Sequence, residues 1–115
     1  MSDLSIYYNP RCSKCRTAQG LLAEYGMDAQ VIEYLVEPPT HAQLRELMVQ
    51  LGITDPRLMM RTGEAVYGEL GLANRQGDAL LEAIVEHPIL LERPIVVRNG
   101  RAVIARPPER LLELL

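Results

Sequence analysis

The pattern of apolar and polar residues in the first third of the chain predicts a strand, a helix and a second strand. The segment 4–8 is short, apolar and rich in strand-forming residues, and Asn9-Pro10 ends it. From Ser13 the apolar residues recur at helical spacing until Gly26, a typical C-cap, and 29–35 then has the pattern of a second strand. Because a helix connects them, the two strands should be parallel with a right-handed crossover. The chain is therefore predicted to open with a βαβ unit.

The middle of the chain predicts a series of short helices. Pro38-Pro39 interrupts the pattern, and Thr40 with Gln43 three residues later has the form of a capping box at the start of a helix. Further short helices are predicted over 56–60, 64–70 and 78–86. Asp78 is the predicted N-cap of the last of these helices.

The last part of the chain predicts a β-hairpin and a short final helix. The segments 93–98 and 101–105 are apolar and β-branched, and Asn99-Gly100 between them is a strong signal for a two-residue hairpin turn. Pro107-Pro108 suits the start of a helix, which 110–115 would complete. The hairpin would add two antiparallel strands to the parallel pair.

The order βαβ, several helices, then ββα predicts an α/β sandwich with a mixed sheet of about four strands. A chain of 115 residues with 48% hydrophobic and 23% charged residues suits a single domain over 1–115, in which helices at approximately 40–87 form an inserted subdomain. No stretch approaches the about 18 consecutive apolar residues of a membrane span, and Asp3 stands where a signal sequence would be basic. A cytoplasmic location without a membrane partner is therefore expected.

Basic residues are concentrated in two stretches although the net charge is −3. The segments 9–23 and 93–108 contain several Arg or Lys residues and no Asp or Glu. An acidic total disfavours nucleic-acid binding through a general basic surface, so no nucleic-acid partner is expected. The chain is therefore acidic overall but contains two basic segments, 9–23 and 93–108, which we call the first and the second basic island.

The second basic island contains two predicted cross-strand arginine pairs. The hairpin register places Arg98 opposite Arg101 beside the turn and Arg93 opposite Arg106 at the other end. Like charges directly opposed across two strands are destabilising unless something offsets them, and an oxyanion shared by two guanidinium groups would do so. Water can screen the pair beside the turn, which we interpret as solvated. Arg93 and Arg106 are candidate oxyanion ligands.

Cys12 is the candidate nucleophile of the first basic island. It lies between the first strand and the first helix, where unpaired backbone N–H groups and the helix dipole favour an anion. Arg11, Lys14 and Arg16 add positive charge and are candidates for stabilising a thiolate. The alternative is a small buried cysteine with a purely structural role.

Cys15 lies one helical turn beyond Cys12, so its sulfur could resolve an intermediate as an internal disulfide. The alternative is a helix residue without a redox role. Zinc binding is the other interpretation of two cysteines at this spacing, but zinc prefers four ligands and His41 and His87 stand apart. No metal is therefore expected.

Several strings spread over nearly the whole chain are similar to those of one family. They are Asn9-Pro10-Arg11-Cys12, Arg61, His87-Pro88-Ile89-Leu90, Glu92-Arg93-Pro94-Ile95-Val96-Val97 and Arg106-Pro107-Pro108-Glu109. With these strings in order, the sequence resembles the glutaredoxin-linked arsenate reductase family. The resemblance implies a thioredoxin-like fold with a helical insertion.

The resemblance also implies a reaction and the residues that carry it. Cys12 would attack arsenate, and Arg61, Arg93 and Arg106 would hold the oxyanion. Pro94 would match the cis-proline that faces the active site in this fold. Glutathione would be the co-substrate and glutaredoxin a partner, and no bound cofactor is implied.

Two residues depart from the family's pattern. Tyr8 stands where characterised members often carry His, and Cys15 stands where many have a residue without a thiol. The resulting Cys-x-x-Cys is similar to that of the related Spx regulators, which bind RNA polymerase. The alternatives to arsenate reduction are therefore general thiol-disulfide exchange by Cys12 and Cys15, or redox-dependent binding to RNA polymerase.

Overall fold

The computed structural model describes residues 4–115, so Asp3 lies outside the described residues. Its four strands are β1 (Leu4–Tyr7), β2 (Gln30–Ile32), β3 (Ile95–Arg98) and β4 (Arg101–Ile104). Its α-helices are α1 (Ser13–Glu24), α2 (His41–Leu51), α3 (Ala65–Glu69) and α4 (Asp78–Glu86). Short 3₁₀ helices span Pro56–Met59, Leu72–Asn74, Pro88–Leu90 and Pro108–Leu114. No helix among residues 4–115 is long and apolar enough to cross a membrane.

The strands form one four-stranded mixed sheet in the order β2-β1-β3-β4. Strands β1 and β2 pair in parallel, whereas β3 is antiparallel to both β1 and β4. The hairpin has the predicted register, with Arg98 opposite Arg101. Asn99 and Gly100 both have positive φ, as a two-residue turn of this hand requires. The predicted α/β class, the thioredoxin-like fold and the mixed sheet of four strands are confirmed.

The chain divides into two compact units, which we call the sheet unit and the helical unit. The sheet unit comprises the chain up to Glu37 together with Arg93–Leu115, and the helical unit is Pro38–Glu92. In the sheet unit, helix α1 and the last 3₁₀ helix pack together and cover a core of aliphatic side chains. These buried residues are Leu4, Ile6, Ala18, Leu22, Val96, Val103, Ala105 and Leu111.

The helical unit is organised by caps and by one arginine. Thr40 and Gln43 form the predicted capping box of α2, with reciprocal hydrogen bonds of 3.1 and 2.8 Å between side chains and backbone N–H groups. Helix α4 packs against α2. The Arg57 guanidinium donates hydrogen bonds to the Tyr67 hydroxyl and to three backbone carbonyls. Those carbonyls belong to Leu72, Ala73 and Arg75.

Three local predictions are corrected by the structure. Strand β2 is shorter than predicted because the chain turns after Ile32, where Val36 and Glu37 both donate backbone hydrogen bonds to the Glu33 carbonyl. Asp78 does not cap α4; Gly77 takes that position, and the Asp78 carboxylate in the first helical turn pairs with Arg45 at 3.2 Å.

The third correction concerns Arg98, which is half-buried rather than solvated. Its Nη1 donates a hydrogen bond of 3.1 Å to the Leu114 carbonyl at the end of the last 3₁₀ helix. A guanidinium there satisfies a carbonyl that has no partner within its own helix. Arg101, on the other strand of the hairpin, is exposed as expected.

Candidate active site

The loop from Asn9 to Cys12 is shaped by hydrogen bonds to the buried Asn9. Its Oδ1 accepts the backbone N–H of Arg11 at 3.0 Å, and its carbonyl accepts the backbone N–H of Cys12 at 2.9 Å. Such a side-chain bond two residues onward is the usual reason for Asn in a tight turn. The turn places Cys12 at the N-cap position of α1, where the backbone N–H groups of Lys14 and Cys15 lower the pKa of its thiol.

The Cys12 sulfur lies among several hydrogen-bond donors. Burial raises the pKa of this thiol, but donors from its surroundings outweigh burial and lower the pKa from 9.0 to about 7. The donors are the backbone N–H and the thiol of Cys15, the Arg93 guanidinium and the backbone N–H of Lys14. About half of the Cys12 side chains are therefore thiolates at neutral pH, which is the reactive form of cysteine.

Cys15 is fully buried, with 0% of its surface exposed, and no disulfide joins it to Cys12. Burial raises the pKa of the Cys15 thiol, which reaches about 11. The backbone N–H of Asn9 lowers this pKa, whereas the hydrogen bond to Cys12 and the charge of Cys12 raise it. The two thiols thus differ in role at neutral pH, since Cys15 keeps its proton and donates it toward the Cys12 sulfur.

Arg93 joins the thiol site to the end of the hairpin. Burial lowers the pKa of this guanidinium, but its interactions with Cys12 and Tyr34 raise the pKa, so it stays positively charged. The hairpin register extends to a bond from the Ala105 N–H to the Pro94 carbonyl at 2.9 Å. At the next position Arg106 Nη1 donates to the Arg93 carbonyl at 2.9 Å. The structure therefore brings Arg93 and Arg106 together, and the Arg93–Pro94 peptide bond is cis.

The three cations next to the cysteines occupy different settings. Arg11, Lys14 and Arg16 are all exposed. Arg16 Nη1 donates to the Pro10 carbonyl at 2.7 Å and thus braces the loop before Cys12. Lys14 acts on Cys12 through its backbone N–H.

Arg61 lies in the helical unit between two carboxylates. Its Nη1 is 3.4 Å from Glu92 and its Nη2 is 3.5 Å from Glu64. Its backbone N–H donates to the Leu90 carbonyl at 2.7 Å, beside the bridge between Met60 and Leu91. The side chain is half-buried and held within its own unit.

Tyr34 is a site residue that the sequence analysis did not identify. Its side chain is fully buried and interacts with the Arg93 guanidinium. The signal was present, because the carboxyl ends of parallel strands meet at one sheet edge and Tyr34 follows β2 as Cys12 follows β1. A tyrosine after a strand nevertheless has the pattern of an ordinary core residue.

No group of three or more His, Cys, Asp or Glu side chains within residues 4–115 is arranged to hold a metal ion. The chemistry that the described side chains offer is that of an ionised thiol beside a guanidinium. An anionic nucleophile next to a fixed cation suits attack on an anionic or polarised electrophile. Fold and site together define a thiol-based protein of the thioredoxin-like class.

Comparison with known proteins specifies the family within this class. Residues 7–114 match the model of the ArsC family, so the chain belongs to the ArsC family. This result confirms the resemblance to the arsenate reductase family.

Three similar proteins illustrate the relationship. An arsenate reductase from Neisseria meningitidis serogroup B is 47% identical over 117 residues, covering 100% of both chains. The uncharacterized protein YfgD from Escherichia coli K12 is 47% identical over 115 residues, covering 98% of this chain and 97% of its own. The solved structure of the arsenate reductase from Vibrio cholerae has a TM-score of 0.95 at 48% identity, covering 99% of this chain and 98% of that one.

Proposed function

We propose that this protein reduces arsenate to arsenite, with Cys12 as the nucleophile and with glutathione and glutaredoxin as electron donors. The observation that carries the proposal is the Cys12 sulfur held beside the Arg93 guanidinium, with a pKa lowered to about 7. Relatives named arsenate reductase at 47% and 48% identity support the choice of arsenate. Both donors are cytoplasmic reductants, so a cytoplasmic location goes with the proposal.

In the first step the Cys12 thiolate attacks the arsenic atom of arsenate. A sulfur–arsenic bond forms and an arsenic–oxygen bond breaks, and the departing hydroxide takes up one proton and leaves as water. Arsenic remains pentavalent. The reaction needs a cation because two anions must meet, and a fixed guanidinium lowers that repulsion without reorganising during the reaction.

The second step reduces arsenic by two electrons. The glutathione thiol attacks the adduct, forming a second sulfur–arsenic bond as a second hydroxide takes up a proton and leaves as water. A glutaredoxin thiolate then attacks the glutathione sulfur, forming one mixed disulfide, and the electron pair of the broken sulfur–arsenic bond reduces arsenic from the pentavalent to the trivalent state. Hydrolysis of the remaining sulfur–arsenic bond releases arsenite and restores the Cys12 thiol. No bound cofactor is needed, because the two thiols supply both electrons.

Three arginines are assigned to the oxyanion. Arg93 is in contact with the nucleophile, and Arg106 is bonded to the Arg93 backbone, so both belong to the end of the hairpin that carries the site. Guanidinium groups suit this role because they stay charged and offer paired N–H donors. Arg61 is assigned by family resemblance alone.

Arsenite release in the presence of glutathione and glutaredoxin tests the proposal. The wild-type protein should turn over and Cys12→Ser should not. Arg93→Ala should raise the KM for arsenate about tenfold or more, the expected loss for one hydrogen bond to a charged group. The matched control is Arg101→Ala, which removes an exposed arginine of the same hairpin and should leave KM unchanged. Equal turnover by wild type and Cys12→Ser would refute the assignment.

General thiol-disulfide exchange is the second candidate function. The hydrogen bond between the Cys15 thiol and the Cys12 sulfur favours it. The Cys12 thiolate would attack a substrate disulfide, and Cys15, after losing its proton, would displace the substrate thiol and close an internal disulfide. Mass spectrometry after mild oxidation should then show a Cys12–Cys15 product about two mass units lighter than the dithiol. Only glutathione adducts on Cys12 would exclude a resolving role for Cys15.

A further inference from the structure

Cys12 and Cys15 form a dithiol at the beginning of α1. Cys12 is the N-cap of the helix, with φ −91° and ψ 118°, and Cys15 is the third residue within it. The backbone hydrogen bond from the Arg16 N–H to the Cys12 carbonyl, at 3.2 Å, closes the turn that contains both residues. Both cysteines are free and buried. One helical turn therefore carries two reduced thiols on the same face.

The spacing of the two thiols suits a bridging atom between their sulfurs. Residues three apart on a helix have Cβ atoms about 5–6 Å apart, whereas a disulfide needs its two Cβ atoms about 3.8 Å apart. A direct sulfur–sulfur bond therefore requires the two Cβ atoms to approach each other, but a link through one additional atom does not. The reduced pair is thus spaced for a ligand that binds both sulfurs at once.

The number of ligands that an atom takes decides which atom fits this pair. Zinc prefers four protein ligands, and the described part of the chain has no group of three or more His, Cys, Asp or Glu side chains that could supply them. Trivalent arsenic takes three ligands in a pyramid and prefers soft sulfur, so two thiols and one hydroxide complete its coordination. Arsenous acid is uncharged at neutral pH, so it needs no cation to approach a buried sulfur.

We propose that Cys12 and Cys15 together bind trivalent arsenic as a chelate in which both sulfurs are bonded to one arsenic atom. Each thiol displaces one hydroxide of arsenous acid, and that hydroxide leaves as water with the proton of the thiol. Two sulfur–arsenic bonds form, two arsenic–oxygen bonds break and arsenic stays trivalent, so neither an oxidant nor a reductant takes part. The inference rests on the proposed function only for the source of the arsenic, because arsenite is the product of that reaction.

Chelation competes with the release of arsenite after the reduction step. Hydrolysis frees arsenic that is bonded to Cys12 alone. The Cys15 sulfur, one turn along the helix, can replace a further hydroxide on the arsenic before that hydrolysis, and release then requires two sulfur–arsenic bonds to break. Because binding through two connected groups exceeds binding through one by about a hundredfold or more, the protein is inhibited by its own product.

The test is titration of the reduced protein with sodium arsenite in the absence of arsenate. Protection of Cys12 from alkylation by iodoacetamide reports binding, and mass spectrometry of the intact protein reports stoichiometry. Wild type should bind one arsenic with both thiol hydrogens displaced, and arsenite should protect its Cys12 at a concentration about a hundredfold lower than in Cys15→Ser. Equal protection in the two proteins would overturn the proposal, as would the lack of an arsenic adduct on wild type.

The matched control keeps the number of thiols and changes their spacing. Combining Cys15→Ser with Thr17→Cys places the second thiol at an exposed position of α1, five residues beyond Cys12 and off its face. This protein should bind arsenite no more tightly than Cys15→Ser, and binding as tight as in wild type would overturn the proposal. Circular dichroism shows whether each variant is folded, and Cys15→Ala serves if Cys15→Ser is not.

Arsenate turnover by the same proteins distinguishes the two proposals. A wild type that does not reduce arsenate but binds arsenite through both cysteines would refute the proposed function and leave the chelate intact. A wild type that reduces arsenate, with equal inhibition of wild type and Cys15→Ser by arsenite, would refute the chelate alone. The supporting result is turnover that arsenite inhibits at a concentration about a hundredfold lower in wild type than in Cys15→Ser.

Discussion

Replacing Cys15 tests how the acidity of Cys12 arises. The Cys15 thiol is one donor to the Cys12 sulfur, beside the backbone N–H groups of Lys14 and Cys15 and the guanidinium of Arg93. Cys15→Ala removes this side-chain donor and keeps the backbone donor. Cys15→Ser keeps a side-chain donor, since a hydroxyl donates more strongly than a thiol. Both changes abolish an internal disulfide, so any difference between them reports the hydrogen bond.

The expected size of the effect follows from the set of donors. A hydrogen bond to a charged group contributes about 1.5–3 kcal/mol, and about 1.4 kcal/mol corresponds to one pKa unit. Cys15→Ala should therefore raise the pKa of Cys12 from about 7 to about 8 or above, while the remaining donors keep it below 9.0. At pH 7 the thiolate fraction would fall from about one half to about one tenth. Cys15→Ser should titrate near the wild type.

The assay is the rate of Cys12 alkylation between pH 5 and 10 in the three proteins, with the site of modification confirmed by peptide mass spectrometry. The expected order of midpoints is Cys15→Ala above wild type, and Cys15→Ser at or just below wild type. Identical midpoints in all three would show that the Cys15 thiol does not stabilise the thiolate. Equal upward shifts in both variants would show that sulfur, rather than a hydrogen-bond donor, is required.

Two further predictions concern the free energy of unfolding. The folded pKa of Cys12, about 7, lies below its unfolded value of 9.0, so ionisation of Cys12 stabilises the fold fully above pH 9, and this contribution is lost as the pH falls through 7. In urea unfolding, the free energy of unfolding should therefore rise more steeply between pH 7 and pH 9 in wild type than in Cys12→Ala. Equal slopes in the two proteins would contradict the lowered pKa. Arg57→Ala should lower the free energy of unfolding by about 2 kcal/mol, because three backbone carbonyls lose a charged donor, whereas Arg45→Ala, which removes an exposed ion pair to Asp78, should change it by less than about 0.5 kcal/mol.

The features that the sequence predicted well are those fixed by neighbouring residues. Asn99 and Gly100 both need positive φ, and few other dipeptides adopt it, so the hairpin and its register follow from two residues. The side chains of Thr40 and Gln43 each accept a hydrogen bond from the other residue's backbone N–H, so the start of α2 is also determined by residues within one turn. The role of Asp78 was missed because its partner, Arg45, lies on another helix.

The distinction between features fixed by neighbouring residues and features that depend on distant ones also applies to the candidate site. Cys12 is recognisable because its position between a strand and a helix already determines its backbone donors. The side chains that act on it are Cys15, one turn along α1, and Arg93, which the fold brings from the hairpin. Tyr34 was missed because its neighbours in sequence carry no signal for it; the signal lies in the parallel pairing of β1 and β2, which brings it to the same edge.

In the proposed reaction Arg93 would interact first with the nucleophile and then with the substrate, and this sets the order of events. Before substrate binds, Arg93 donates to the Cys12 sulfur and helps to keep it ionised. When an oxyanion takes over those N–H groups, the thiolate loses a donor, and a less stabilised thiolate is the better nucleophile. The backbone N–H of Lys14 and both donors of Cys15 still face the sulfur, so it need not regain a proton. Substrate binding would thus raise the reactivity of Cys12 only when an electrophile is already beside it.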